Sequence, residues 1–229
     1  MKFHLKKITI IFLIFFDSIA FSHTAHYLDF KQIEMEILKD GKVIGYNYYF
    51  FKKENGIVSI KNQIYFKVHL FGVPVFNLEG YGIEKYNNGK LISYESKTKQ
   101  NDKKKFVNLI YRPKVNKFFI NGSSYTGFAD ADNMIGSWWN HQILQAESQI
   151  SPISGSIKEQ VVTFLTKEKI ELYGKLIEVD HFKLTSKDKN APKDKRLDFD
   201  IWYDKKNAMI VKVSYSRMGK WEYKLKSYK

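Results

Sequence analysis

The side chains able to do acid–base, nucleophilic or metal chemistry are few and scattered along the 229 residues. The chain has no cysteine, which removes disulfide scaffolds, thiolate zinc sites, cysteine nucleophiles, iron–sulfur clusters and a lipid anchor on a Cys. His141 follows shortly after Asp130 and Asp132, a combination that could move a proton. No nucleophile motif accompanies it, and a helix-surface or capping role accounts for it. Asp180 and His181 are adjacent in a strand-like segment, so their side chains point to opposite faces and do not cooperate directly. His69 stands alone in a strand and reads as structural. Asp198 and Asp200 share one strand face and, with Asp204, offer oxygen ligands to a hard cation such as calcium. The glycine and the carboxylate density of a calcium loop are missing, so a solvated face with Lys partners is the better reading. Asp204 begins a turn through Lys205, Lys206 and Asn207, where its carboxylate accepts backbone hydrogen bonds. These residues predict no catalytic set, no metal site and no cofactor, and an enzyme is the least favoured reading.

The aromatic residues are more suggestive than the titratable ones. Tyr46, Tyr48 and Phe50 fall on one side of their strand, Tyr49 and Phe51 on the other. One set builds a core; the other lines a ligand cavity, supports a partner surface or packs under a neighbouring element.

The elements that position these groups begin after a targeting segment. Lys2, Lys6 and Lys7 form a positive start, Ile8 to Phe16 an apolar run broken only by Thr9, and Ala20-Phe21-Ser22 a small-residue cleavage site. Residues 1–22 therefore read as a signal peptide. Asp17 interrupts the run well short of the roughly 20 apolar residues a membrane span needs. No later segment approaches that length, so the mature chain is expected to be exported, periplasmic or secreted, without a transmembrane span. Residues 23–229 fit one domain.

Within that domain alternation of apolar and polar residues predominates. Asp40-Gly41, Asn88-Gly89 and Asn121-Gly122 mark tight turns, and Val58, Ile60, Ile64, Phe66 and Val68 lie on one face of a strand. Pro74 predicts an edge, a bulge or a bend. Further strands are expected around 78–86, 91–99, 106–112, 117–120, 161–165, 169–173, 175–184, 197–203, 209–216 and 221–228. The exception lies between Gly127 and Ser148. There Ile135, Trp139, Ile143 and Ala146 recur at helical spacing behind Asp132 or Asn133 as a cap, predicting one amphipathic helix near 132–147. The expected fold is mainly β: a curled antiparallel sheet forming a barrel or roll, with this helix packed on its concave face or mouth.

The formal charge is +14. The chain is rich in Lys, Asn, Ile, Phe and Tyr and poor in Gly, Ala, Arg and Pro, a bias that AT-rich codons also produce. Only Arg112, Arg196 and Arg217 supply guanidinium forks, and with export this argues against nucleic acid as a partner.

A set of short motifs occurs in a recognisable order. Asp40-Gly41-Lys42 with Ile44-Gly45 comes first, then Phe71-Gly72-Val73-Pro74-Val75-Phe76, and Tyr86 before Gly89-Lys90-Leu91. Later come Trp139-Asn140, Ser154-Gly155, Tyr173-Gly174-Lys175, His181-Phe182-Lys183-Leu184, Trp202-Tyr203-Asp204, and Gly219 with Tyr223-Lys224-Leu225. Together they resemble the exported bacterial domain-of-unknown-function family 6134 over almost the whole mature chain. The resemblance implies an all-β periplasmic or secreted domain and no activity.

Two functional readings remain. In the first, a binding or carrier module holds a hydrophobic or lipid-like envelope molecule among Trp138, Trp139, Ile143, Tyr48 and Phe66. In the second, a scaffold with a filled core uses its basic surface to contact an anionic polymer or another envelope protein. The targeting segment makes a direct prediction: N-terminal sequencing of the protein recovered from the exported fraction should begin at His23, and an intact Met1 would refute cleavage.

Overall fold

Strict side-chain alternation, interrupted by two-residue turns, makes this chain a succession of hairpins. The structure is a computed structural model that describes Tyr27 and residues 29–229; the signal peptide expected at residues 1–22 lies outside the described residues. The first run comprises β1 (Gln32–Lys39), β2 (Lys42–Glu54), β3 (Ile57–Leu70), β4 (Val73–Asn87), β5 (Lys90–Gln100), β6 (Lys103–Arg112), β7 (Lys117–Gly122) and β8 (Thr126–Asp130). The second comprises β9 (Met134–Ile135), β10 (Ser148–Ile150), β11 (Ile157–Leu172), β12 (Lys175–Ser186), β13 (Asp198–Asp204), β14 (Met209–Ser216) and β15 (Lys220–Tyr228). At Asp40-Gly41 both turn residues have positive φ, 49° and 79°. That geometry matches the right-handed twist of the flanking strands.

All fifteen strands belong to one sheet, in the order β8 to β1, then β15 down to β9. Its neighbours are antiparallel except for the short parallel pair β9 and β10. The two end strands, β8 and β9, are joined by residues 131–133 alone, yet no ladder connects them. The sheet therefore curls round until its ends meet at a seam and remains an unclosed roll. The loop between β10 and β11 bridges the seam: the Ser154 carbonyl accepts from Ser124 N at 2.9 Å, and the Pro152 carbonyl accepts from Tyr94 OH at 3.0 Å and Ser96 Oγ at 2.7 Å. Pro74 sits where β4 extends past the end of β5, opposite a bulge at Val68/His69. It thus occupies a local edge, where no ladder needs its missing N–H.

The helix expected at 132–147 does not form. Its place is taken by β9, an extended stretch, and a single 3-10 turn at His141–Leu144 capped by the Asn140 side chain. The 3-10 turns are the only helical elements among the described residues, and no helix there is long and apolar enough to cross a membrane. The segment is a crossing strap that runs through the inside of the roll. Gly136 N bonds to the Ile150 carbonyl at 3.0 Å. Trp139 then turns to Tyr27, Phe51 and Tyr86, while Trp138 turns to Phe199 and Tyr223. A segment buried on several sides finds an apolar partner in every direction, so helical spacing of its apolar residues carries no conformational information. Gly136, Ser137 and Asn140 favour the extended and capping states over helix.

Inner-face residues from both halves of the sheet close around this strap. Trp139 is only 1% exposed and lies in the largest core cluster with Met35, Ile60, Leu109, Phe118, Ile120 and Val211. Replacing Trp139 with Ala should destabilise the fold by about 3–5 kcal/mol, the range for emptying a large aromatic site. Trp138→Ala should cost clearly less, because that ring is only partly buried. Urea unfolding of both variants checks the ranking.

Candidate functional site

The strap fills only part of the roll. Where it leaves the sheet, a cavity of about 880 Å³ opens on the inner face of β2 to β5, facing β13 to β15 across the gap. Two glycines on β4, Gly80 and Gly82, point inward from the floor. A Cβ at Gly80 would approach Ile64 to 2.9 Å, and one at Gly82 would approach the Tyr94 hydroxyl to 2.9 Å. Ile64, Thr98 and Tyr94 already fill the space in front of both glycines, so a larger residue at either position would push these side chains aside.

The floor is polar and hydrogen-bonded. Asn62 Nδ2 donates to the Tyr48 carbonyl at 3.0 Å and to Asn47 Oδ1 at 2.5 Å. Asn47 Nδ2 donates to the Tyr49 hydroxyl at 2.8 Å, and that hydroxyl also accepts from Trp138 N at 3.2 Å. The opposite wall is aromatic, with Trp138, Phe199, Tyr215 and Tyr223.

Glu84 lies on the same β4 face as the two glycines, at the boundary between cleft and core. Its carboxylate accepts from Trp139 Nε1 at 2.8 Å and from the Tyr86 hydroxyl at 2.6 Å, and Ser137 faces it. Burial dominates these bonds and pushes its pKa up from the usual 4.5 to about 7. A carboxyl with this pKa is a donor when protonated and only an acceptor when ionised, with the change near neutral pH. Burial likewise raises the pKa of Tyr49 and Tyr94, so both hydroxyls stay neutral donors.

The mouth is basic. Lys158, Lys189, Lys193, Arg196 and Arg217 line it, against Asp188 and Asp198. The Lys158 ammonium donates to the Lys195 carbonyl at 2.6 Å. Loss of water, followed by the neighbouring Arg217 charge, lowers its pKa below the usual lysine value. Two cations held together in this way are relieved by an anion between them.

Of the residues singled out from the sequence, Trp138 lines this cleft. Trp139 is enclosed in the core, where its indole N–H holds Glu84. Ile143 packs with Leu184 and Ile201 in a second cluster, against which Trp138 also packs. Phe66 packs in a third, against Phe76 and Trp221. Tyr48 faces outward and stacks between Tyr46 and Phe50 at 5.9 and 6.1 Å. The fold therefore does not bring these five together. His141 meets the Tyr27 hydroxyl through Nδ1 at 2.9 Å. His181 lies on the outer face between Glu168 and Asp200 at 3.0 and 3.1 Å, stacked on Trp202. Lys183 bridges Asp198 and Asp200 at 2.7 and 2.9 Å, and Asp204 accepts from Lys206 N and Asn207 N as its turn position predicts. The sequence reading missed Glu84, Asn62, Lys158 and Arg217. Glu84 left a trace: it is an acid on the inward face of the run Leu78, Gly80, Gly82, Glu84, Tyr86.

Because the folded state raises the pKa of Glu84, the fold binds this proton more tightly than the unfolded chain does. Its contribution is most favourable below pH 4.5 and is lost as pH rises to about 7, a change of about 3 kcal/mol at most. Glu84→Gln should remove this dependence. Relative to the parent it should gain about 1–3 kcal/mol on going from pH 5 to pH 8, read from urea unfolding at both values. A parent-minus-variant difference that does not change with pH would show that Glu84 does not titrate there.

A search of the curated proteins found no match. The family model described as domain of unknown function, DUF6134, matches residues 35–226, from within β1 to within β15. The match takes in the whole cleft and both halves of the sheet, and the chain belongs to the DUF6134 family.

Proposed function

We propose that this protein is an exported binding module whose inner cleft holds an amphiphile with an acidic group. The observation that carries the reading is the layout of the 880 Å³ cavity: an aromatic wall, a hydrogen-bonding floor and a basic mouth in one continuous space. Its volume lies within the range of about 300–1,000 Å³ usual for small-molecule sites. An acidic head would sit between Lys158 and Arg217, relieving their mutual repulsion. An apolar body would lie against Trp138, Phe199, Tyr215 and Tyr223. Asn62, Thr98 and Glu84 would meet a hydroxyl or amide along it. The polar floor argues against a pure hydrocarbon ligand, whose burial would leave these groups without water. The signal-peptide pattern of residues 1–22 supports an envelope source for the ligand.

The test is a fluorescence titration of the mature protein with dansyl-undecanoate, a single-chain anionic amphiphile, alongside native mass spectrometry of protein purified without detergent. Saturable one-to-one binding is expected, weakened roughly tenfold by Arg217→Ala or by Lys158→Ala, the range for a lost charge-assisted hydrogen bond. Absence of saturable binding, or binding unaffected by both substitutions, would overturn the reading.

A further inference from the structure

The outer face of the same strands carries a second cavity, of about 760 Å³, which shares Ile64, Gly80, Tyr81 and Thr98 with the first and is otherwise lined mainly by outward side chains of β2 to β6. The strand pairing sets its outward side chains in two straight rows. Tyr48 pairs with Gln63, Gln63 with Tyr81, Tyr81 with Lys97, and Lys97 with Phe106. Beside this row, Tyr46 pairs with Tyr65, Tyr65 with Glu79, Glu79 with Lys99, and Lys99 with Lys104. Each row therefore crosses five strands without a register shift.

In the first row aromatic rings alternate with hydrogen-bonding side chains. Neighbouring strands lie about 4.8 Å apart, so Tyr48, Tyr81 and Phe106 recur at about 9.6 Å, with Gln63 and Lys97 midway. Tyr65, Tyr81 and Phe106 are 47%, 40% and 41% exposed, large values for rings in the middle of a sheet. Tyr65 also packs at a tilt against Tyr46 at 5.8 Å and stacks on Tyr48 at 6.5 Å, which holds it as a platform. Lys97, Lys99 and Lys104 face the one acid, Glu79, among the charges of the two rows.

We propose that this outer groove binds an extended acidic polysaccharide, running across the strands along the Tyr48–Phe106 row. An extended glycan with β-1,4 or alternating β-1,3 and β-1,4 linkages repeats every second sugar, so alternate rings present the same C–H face to a flat surface. Aromatic platforms on alternate strands match that period, because sugar C–H faces pack on π-faces. Gln63 and Lys97 meet the hydroxyls of the intervening sugars. Uronic carboxylates pair with Lys97, Lys99 and Lys104 through charge-assisted hydrogen bonds. The lysine excess selects an acidic chain over a neutral one, and the alternation of ring and donor selects a polymer over a small anion. This inference stands apart from the inner cleft: Arg217 and Lys158 take no part in it.

The experiment is calorimetric titration of the mature protein with a hyaluronan octasaccharide, with cellohexaose and free glucuronate as comparisons. The octasaccharide should bind best, and raising salt should weaken it. Tyr81→Ser and Phe106→Ser should each weaken it about fivefold, and Lys99→Gln should reduce the salt sensitivity. Arg217→Ala should leave it unchanged. Circular dichroism of each variant confirms the fold; the altered side chains are on the outer face. Absence of octasaccharide binding would overturn the proposal. So would equal affinity for glucuronate, or binding that responds to salt but not to Tyr81→Ser and Phe106→Ser.

Discussion

The structure depends on one constraint: a single curled sheet has an inner face and no second layer to cover it. Sandwiches solve this with another sheet and α/β folds with helices. Here the chain covers itself, sending the strap between β8 and β11 through the roll. Trp139 is the anchor of that strap. Its ring meets Tyr27, Phe51 and Tyr86 edge-on, an arrangement favoured by the aromatic quadrupole. Its N–H meets Glu84, so the residue that fills the core also satisfies the one buried carboxylate on this part of the sheet.

The cleft follows from how that covering ends. Because the strap leaves the inner face near Trp138, the adjoining surface of β2 to β5 lines a cavity, where Asn47, Asn62, Ser96 and Thr98 stand beside the apolar Ile64 and Leu78. Glu84 stands where the two regimes meet. It is far enough inside to be desolvated and close enough to the cleft for its charge to matter there. The basic mouth comes from the other half of the sheet, chiefly the β12–β13 loop and the β14–β15 turn. The roll has to curl before floor and mouth face each other. A mutation that loosened the seam would therefore separate the two without touching either.

The outer face is organised by the same ladders under different rules. Its side chains remain in water, so cross-strand pairs set its chemistry. Lys226 bridges Glu34 and Glu36 near Tyr46, and Lys212 lies over Trp202 at 4.4 Å. The sheet ends are protected as well. β9 has two residues and β8 five, and the Ser124–Ser154 contact ties the neighbouring turns together, leaving little edge for another chain to join.

Most of the strands could be read directly from the residues. Alternation with period two is a local property of each strand, and turns such as Asp40-Gly41 require a conformation that few residue types supply, so Val58/Ile60/Phe66 and Trp221/Tyr223/Leu225 declared their faces without tertiary information. The same locality explains the division of aromatics on β2, with Tyr49 and Phe51 inward and Tyr46, Tyr48 and Phe50 outward. The strap was illegible for the opposite reason. Ile135, Trp139 and Ile143 are apolar because the interior surrounds them, and a spacing of four is no evidence of a helix when each residue reaches a different wall. The site was hidden in the same way: Asn62, Glu84, Lys158 and Arg217 come from four distant stretches of chain and become one surface only when β1 pairs with β15 and the sheet curls. Local pattern determined the strands and their faces. Long-range pairing and curvature alone decided which residues share a cavity, because side-chain periodicity records the orientation of a residue to its own strand and not the strand it will face.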